Sequence, residues 1–219
     1  MDIEDEDQPP DIDVIIIFIV FFEGGLAPLA LLLGWWWGRN PLASFAWDFR
    51  HLLAGILATI PPILLFTWTL RWPVGGLRKI KQFLEEEFCP MLAGARWSDI
   101  ALIALSAGVG EEMLFRGVLQ PSLVGWLGLV WGVALTSLLF GLLHPISVPY
   151  AVVASLLGLY LGLVFLLTGN LLTVIITHTL YNFSLMAYLL KIHPPDGPLR
   201  ERIPAVDEFE DIDAYEETK

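Results

Sequence analysis

The sequence of 219 residues is poor in cysteine and in basic residues. Cys89 is the only cysteine, so no disulfide can form within the chain and the redox compartment cannot be inferred. The 12 lysines and arginines are scattered among 24 acidic residues, which excludes nucleic acid as an expected partner. The acidic start lacks the positive charge of a secretory signal peptide, so we expect the first apolar run to remain as a membrane anchor.

Apolar residues dominate the rest of the chain. They make up 56% of it, against about 45–50% in soluble domains, and the mean hydropathy is +0.66. A membrane-spanning helix needs about 20 apolar residues. The sequence therefore predicts an all-α, polytopic helical bundle surrounded by membrane lipids. Six transmembrane helices are predicted, over residues 12–37, 52–72, 99–119, 123–143, 149–168 and 171–190.

The stretch between the second and third segments is predicted to form an amphipathic helix. Its apolar residues recur at helical spacing among charged ones: Leu77, Ile80, Phe83 and Leu84. Such a helix either lies on the membrane surface or packs over the bundle, and the pattern fits both. Lysine and arginine in this loop and beyond residue 190 predict that both termini face the cytoplasm.

Acidic residues concentrate at the two ends of the chain. Seven lie within residues 2–13 and nine more within residues 196–217, as in solvated tails. This pattern predicts four regions in the chain. They are an acidic tail over 1–13, a transmembrane pair with the amphipathic helix over 14–97, a core over 98–190 and a second acidic tail over 191–219.

Ionisable residues lie within two of the apolar segments, where lipid makes charge costly. A charge at the centre of a membrane helix costs roughly 2.5–3.5 kcal/mol on insertion scales, so such residues are expected to be functional. Glu112 and Arg116 are four residues apart, which predicts an ion pair on one helix face. Glu111 is rotated about 100° away and is left free to act. Glu23 either lines a substrate path or lies protonated against a neighbouring backbone, and we favour the structural role.

Two histidines in other segments each have a partner four residues away. His144 follows Phe140 near the end of the fourth segment, where the next residue is a proline that predicts a break. His178 precedes Asn182 in the sixth segment. A single histidine in an apolar helix is more often a packing residue. Three polar sets in one small chain must all avoid lipid, which predicts that they line one cavity.

Such a cavity can support hydrolysis of a peptide bond. Glu111, helped by His144, can act as a general base towards water. His178 and the amide of Asn182 can then stabilise the oxyanion. Alternatively, Glu111, His144 and His178 can hold a divalent metal such as zinc that activates the water. The spacing does not decide between these schemes, so the need for a cofactor stays open.

The three motifs, in this order, resemble one known family. EExxxR over residues 111–116, FxxxH over 140–144 and HxxxN over 178–182 are similar to the signature of the CPBP family of intramembrane proteases. This family includes type II CAAX prenyl endopeptidases and Abi-like bacteriocin-processing or bacteriocin-immunity membrane proteins. The surrounding sequence, notably LFRGVLQ and SLLFGLLH, is also similar, and the resemblance covers residues 98–190.

The resemblance implies a role for each motif residue. Glu111 would activate the attacking water together with His144, and His178 with Asn182 would form the oxyanion site. The supporting residues would be Glu112, Arg116 and Phe140. The substrate would be a membrane-associated or lipidated peptide or protein.

Other functions fit the sequence less well. The zinc-protease pattern HExxH is absent, and Ser106 lacks the flanking glycines of a rhomboid serine. A proton-coupled carrier would be expected to show an inverted repeat, which we do not find. A scaffold or immunity factor of the same family that cuts nothing stays open. The compact chain with short loops favours the plasma membrane of a prokaryote.

Overall fold

A computed structural model of the protein describes residues 11–194. Every regular element in this range is helical, which confirms the predicted all-α bundle. Most of both predicted acidic tails lies outside the described residues. Four stretches are long and apolar enough to cross a membrane: Ile12–Trp36, Phe49–Arg71, Val148–Thr168 and Leu171–Ile192. They correspond to the first, second, fifth and sixth predicted segments.

The helices are numbered here in chain order. Three of them continue into single π-helical turns, at Leu84–Phe88, Phe115–Leu119 and Tyr188–Ile192. The α-helices are α1 (Ile12–Gly24), α2 (Leu26–Trp36), α3 (Phe49–Ala58), α4 (Ile60–Arg71), α5 (Gly76–Phe83), α6 (Cys89–Met91), α7 (Trp97–Leu114), α8 (Gln120–Leu127), α9 (Leu129–Leu142), α10 (Val148–Thr168) and α11 (Leu171–Ala187).

The third and fourth segments differ from the prediction. Helix α7 continues through the π turn into α8 and so extends to Leu127, not to residue 119. The chain breaks at Gly128, whose φ of 81° favours glycine, and α9 has only 14 residues. The predicted start of the fourth segment at residue 123 is therefore wrong. Apolar residues run on through this turn, so composition does not show the break.

Two glycines of α7 set its distance to its neighbours. A Cβ on Gly108 would collide with the side chain of Thr179 in α11, and one on Gly110 would collide with the backbone carbonyl oxygen of Glu23 in α1. Small residues allow this close approach between membrane helices. Helix α7 thus packs directly against α1 and α11, and the residue after Gly110 is Glu111.

The second stretch is interrupted at Thr59, between α3 and α4, just before Pro61 and Pro62. Pro62 has no N–H, so it leaves the carbonyl of Ala58 without its helical donor. The hydroxyl of Tyr160 in α10 donates to this carbonyl at 2.6 Å. The freed carbonyl is thereby satisfied inside the protein, as backbone in a membrane requires.

Residues 72–96 cover one end of the bundle, called here the basic end. Leu84 and Cys89 are buried in a cluster with residues of α1, α7 and α11. The ring of Phe83 meets that of Tyr150 edge-on at 6.1 Å. The amphipathic helix is thus present, and its apolar face packs over the bundle. Arg96 also bonds Asp13 at 3.3 Å, which ties the start of α1 to this end.

The loop 37–48 closes the opposite end of the bundle. Asn170, which is buried, caps α11 by accepting from the N–H of Leu172 at 2.9 Å. Its amide also donates to the carbonyl of Ala46 at 2.8 Å and accepts from the N–H of Ala46 at 3.2 Å. One side chain therefore fixes the loop to the start of α11.

Candidate active site

Glu112 is the centre of a buried polar network between α7, α10 and α11. Its Oε1 accepts from Nη1 of Arg116 at 2.8 Å, and both side chains are fully buried. This confirms the predicted ion pair. The same Oε1 lies 2.8 Å from Nδ1 of His178. One carboxylate thus joins two of the three sequence motifs.

Arg116 is enclosed on its remaining sides. Its Nη2 donates to the carbonyl of Gly158 in α10 at 2.7 Å. Its guanidinium carbon lies 4.9 Å from the ring centre of Phe140 and 5.7 Å from that of Phe115. Aromatic faces attract a cation, and this attraction is stronger when water is excluded. Arg116 therefore links α7, α9 and α10 around the network.

The π turn at Phe115–Leu119 begins directly after the EEML part of the first motif. A π turn inserts extra backbone into a helix and often occurs at functional sites. Here it contains Arg116, and the residue that follows Arg116, Gly117, lies against the carbonyl of Pro41. The inner side of the turn therefore places Arg116 in the polar network, and its outer side packs against loop 37–48.

Glu111 and His144 face one another beside this network. Oε1 of Glu111 lies 3.9 Å from Nε2 of His144. Nδ1 of His144 lies 2.8 Å from the carbonyl oxygen of Phe140, which can only accept. Nδ1 therefore carries a proton, and when the ring is neutral its Nε2 presents a lone pair to Glu111. Two acceptors 3.9 Å apart are suited to share the protons of one water molecule.

Phe140 holds His144 in this position. Their rings are stacked at 4.9 Å, and the ring of Tyr150 stacks on the other side of His144 at 6.3 Å. Helix α9 ends at Leu142, and His144 follows in the turn before Pro145, as the proline predicted. The side chain of His144 is 28% exposed, whereas that of Glu111 is 6% exposed. The site is therefore most open at His144.

His178 and Asn182 lie one turn apart on α11. His178 is buried, and its ring centre lies 6.0 Å from that of Phe140, so the second and third motifs also meet. Asn182 is half-buried. The structure thus brings Glu111, Glu112, His144 and His178 together, with Asn182 one helical turn beyond His178.

Glu23 is a site residue that the sequence analysis assigned to a structural role. Its carboxyl group lies within hydrogen-bonding reach of the carboxyl group of Glu111. Tyr150 lies close to both acids. The sequence signal for a role of Glu23 in the site was its position in the middle of the first apolar segment. Nothing in the sequence relates this residue to α7.

A metal ion does not fit the predicted ligands in this arrangement. Over the described part of the chain, no three or more His, Cys, Asp or Glu side chains have the arrangement of a metal site. Glu111 and His144 face each other, but His178 directs Nδ1 to Glu112. The set of Glu111, His144 and His178 therefore lacks the convergence that zinc requires.

The site lies deep inside the bundle. Glu111 is 14 residues from the start of α7 at the basic end, or about 21 Å along the helix. His178 is seven residues from the start of α11 at the opposite end, or about 10 Å. Together these distances equal roughly the 30 Å of a bilayer's hydrocarbon core. The reacting groups are thus placed at membrane depth.

Comparison with known proteins assigns this part of the chain to a family. Residues 93–184 match the family described as type II CAAX prenyl endopeptidase Rce1-like. No curated protein and no solved structure matches the chain. The matched segment contains every motif residue of the site, and Glu23 lies outside it. The apolar helices and this match identify an integral membrane protein whose segment 93–184 belongs to the CPBP family of membrane proteases, in its Rce1-like group.

Proposed function

We propose that the protein is an intramembrane endopeptidase in which Glu111 and His144 activate a water molecule for attack on a peptide bond. The observation that carries the proposal is the separation of 3.9 Å between Oε1 of Glu111 and Nε2 of His144, whose Nδ1 is bonded to a backbone carbonyl. A water between them would lose one proton to Glu111 while its second hydrogen is held by His144.

The reaction follows from these positions. The water oxygen forms a bond to the carbonyl carbon of the peptide, and the carbonyl electron pair moves to its oxygen as an oxyanion. Glu111 receives the proton of the water. When the oxyanion collapses, the C–N bond breaks, and Glu111 gives this proton to the leaving nitrogen. The products are a carboxylic acid and an amine, and the site returns to its initial state.

His178 and Asn182 are proposed to stabilise the oxyanion. Nδ1 of His178 is engaged by Glu112, so the ring can donate to an oxyanion only from a protonated Nε2. His178 must therefore act as an imidazolium, and the adjacent carboxylate of Glu112 favours that charge. The side-chain amide of Asn182, one turn away, can supply a second donor.

The substrate is proposed to be a membrane-associated or lipidated peptide. A site at membrane depth that is most open at His144 can receive a segment held in the bilayer. The name of the matched family points to C-terminal peptides carrying a prenyl group. The basic loop over residues 72–96 supports placing that end of the bundle, and both termini, on the cytoplasmic side.

Cleavage by purified protein in liposomes tests the proposal. The substrates are a fluorogenic peptide with a prenylated C-terminal CAAX sequence, the same peptide without the prenyl group, and an unrelated apolar membrane peptide. We expect cleavage of at least one peptide by wild type and its loss in Glu111→Gln. The matched control is Glu86→Gln, which changes an exposed acid in the π turn after α5.

The results separate the mechanism from the substrate class. Cleavage of the prenylated peptide alone supports a CAAX-type substrate, and cleavage of the other membrane peptide supports a broader one. Equal cleavage by wild type and Glu111→Gln contradicts Glu111 as the base. No cleavage of any peptide by folded wild type, with ion-gradient-dependent uptake in the same liposomes, would replace the peptidase by the carrier.

A further inference from the structure

Glu23 is an acid in the middle of a membrane helix that the motif chemistry does not use. It is the penultimate residue of α1, and the chain continues through Gly25 into α2. The stretch Ile12–Trp36 is otherwise apolar enough to cross a membrane. An acid at this depth is costly unless it has a partner, and its partner indicates its function.

The partner of Glu23 is fixed by close packing of two helices. The backbone carbonyl of Glu23 lies against Gly110, so closely that a Cβ there would collide with it. Glu111 follows Gly110 directly, and the carboxyl groups of Glu23 and Glu111 lie within hydrogen-bonding reach. The contact is therefore built into the interface of α1 and α7.

Two carboxyl groups in such contact can form a hydrogen bond only if one of them carries a proton. Two ionised carboxylates would repel strongly in a site with few water molecules. Oε2 of Glu111 is buried and has no donor within residues 11–194 unless an adjacent acid is protonated. A proton held between Glu23 and Glu111 supplies that donor, as in other pairs of acids that share one proton.

The other charged or titratable groups around Glu111 are engaged by other partners, so Glu23 is the acid that can pair with it. Arg116 and Nδ1 of His178 are engaged by Glu112. Nδ1–H of His144 is directed to the carbonyl of Phe140. The groups that face Glu111 are Glu23 from α1, Glu112 and Arg116 from α7 and its π turn, His144 after α9, Tyr150 from α10 and His178 from α11.

We propose that Glu23 is a positioning residue of the active site, which shares one proton with Glu111 and holds the Glu111 carboxylate towards His144. The inference rests on the proposed function, in which Glu111 is the base. It also means that the first membrane stretch belongs to the site, although the family match begins only at residue 93.

Three substitutions of Glu23 separate positioning from simple packing. Glu23→Gln keeps a neutral donor that cannot lose its proton, and Glu23→Asp keeps the acid but shortens it. Glu23→Leu removes both the hydrogen-bond donor and the acid. We expect Leu to lower kcat by roughly a hundredfold with little change in KM, as for a misplaced reacting group. Gln should retain kcat within about tenfold at neutral pH.

The pH profile provides a readout that packing alone would not change. In wild type, kcat should fall at alkaline pH as the proton shared by Glu23 and Glu111 is lost and as the imidazolium of His178 loses its proton. In Glu23→Gln only the proton of His178 can be lost, so the fall in kcat at alkaline pH should occur at a higher pH than in wild type. Glu23→Asp should keep the wild-type shape at a lower kcat. An unchanged profile in Gln, or an unchanged kcat in Leu, overturns the proposal.

Infrared spectroscopy tests the shared proton without any substrate. Wild type should show the carbonyl band of a buried carboxylic acid at neutral pH, and Glu23→Gln should lose it, whereas Glu86→Gln should keep it. A band that persists unchanged in Glu23→Gln overturns the proposal. If no variant or wild type cleaves any peptide but this band behaves as expected, the proposed function fails while the pairing of the two acids stands.

Discussion

Replacing Glu112 by glutamine should be among the most destabilising single changes in this protein. The substitution keeps the size of the side chain but leaves the guanidinium of Arg116 without a carboxylate. Both side chains are fully buried. Removing one partner of a buried ion pair typically costs about 3–5 kcal/mol, because a charge stays buried without compensation. Arg116 then has only neutral acceptors, which are the carbonyl of Gly158 and the amide oxygen of the new glutamine.

The effect of Arg116→Met on stability should depend on whether Glu112 is present, and this gives the sharper prediction. In wild type, Arg116→Met should destabilise the protein, since Glu112 keeps only His178 as a partner. In Glu112→Gln the same change removes an uncompensated charge, so it should be neutral or stabilising. A double-mutant cycle isolates this coupling, which lies at about 0.5–3 kcal/mol for residues in one network.

Thermal unfolding of the purified protein in detergent measures all four members of the cycle. The nine tryptophans supply the fluorescence signal. For a chain of this length, 1 kcal/mol corresponds to roughly 2–4 °C in Tm. Glu112→Gln should therefore lower Tm by about 6–20 °C. If Arg116→Met lowers Tm equally in the wild-type and Glu112→Gln backgrounds, the two residues do not act as a buried pair and the reasoning is refuted.

Three further predictions concern packing, a loop and a thiol. Gly110→Ala should cost about 1–3 kcal/mol, because the new Cβ would force α1 away from α7. The control is Gly24→Ala, whose Cβ would meet only Ser106 at an ordinary contact distance of 4.0 Å and should leave Tm unchanged. Equal effects of the two substitutions would contradict the close approach. Asn170→Leu should lower Tm more than Asn170→Asp does. The aspartate keeps the two hydrogen bonds that Asn170 accepts and loses only the one that it donates to Ala46. A larger loss of Tm in Asn170→Asp would contradict the capping role of this side chain. Burial and the charge of Glu85 raise the pKa of the Cys89 thiol to about 12 from a usual 9.0, so maleimide should label it at pH 8 only after unfolding. Rapid labelling of folded protein would show that the thiol is accessible.

Much of the bundle could be predicted because its signals are local. Apolar stretches of sufficient length give four spans, and Pro62 and Pro145 mark a kink and a break. The spacing of Glu112 and Arg116 gives their ion pair, which needs only the geometry of one helix. The break at Gly128 left no such signal, because apolar residues continue on both sides of it, and helical spacing does not reveal the π turn after Leu114.

Pairing between distant segments could not be predicted. The sequence analysis treated Glu112 only as a partner of Arg116, but its Oε1 also contacts His178 on another helix. Glu23 was assigned to packing because nothing local relates α1 to α7. Such pairs depend on which helices are neighbours in the bundle. Glycines such as Gly108 and Gly110 allow two helices to approach closely, but the sequence does not show which helix each glycine faces.

Peptide termini from cells test the central claim most directly, since they require no assumed substrate. Cells producing wild type, Glu111→Gln or Glu86→Gln would be compared by mass spectrometry of membrane and secreted peptides. We expect new termini with wild type and Glu86→Gln that are absent with Glu111→Gln, and these termini would name the substrate. Identical termini in all three, with equal abundance and Tm of the variants, would contradict a peptidase based on Glu111 and favour a scaffold of the same family.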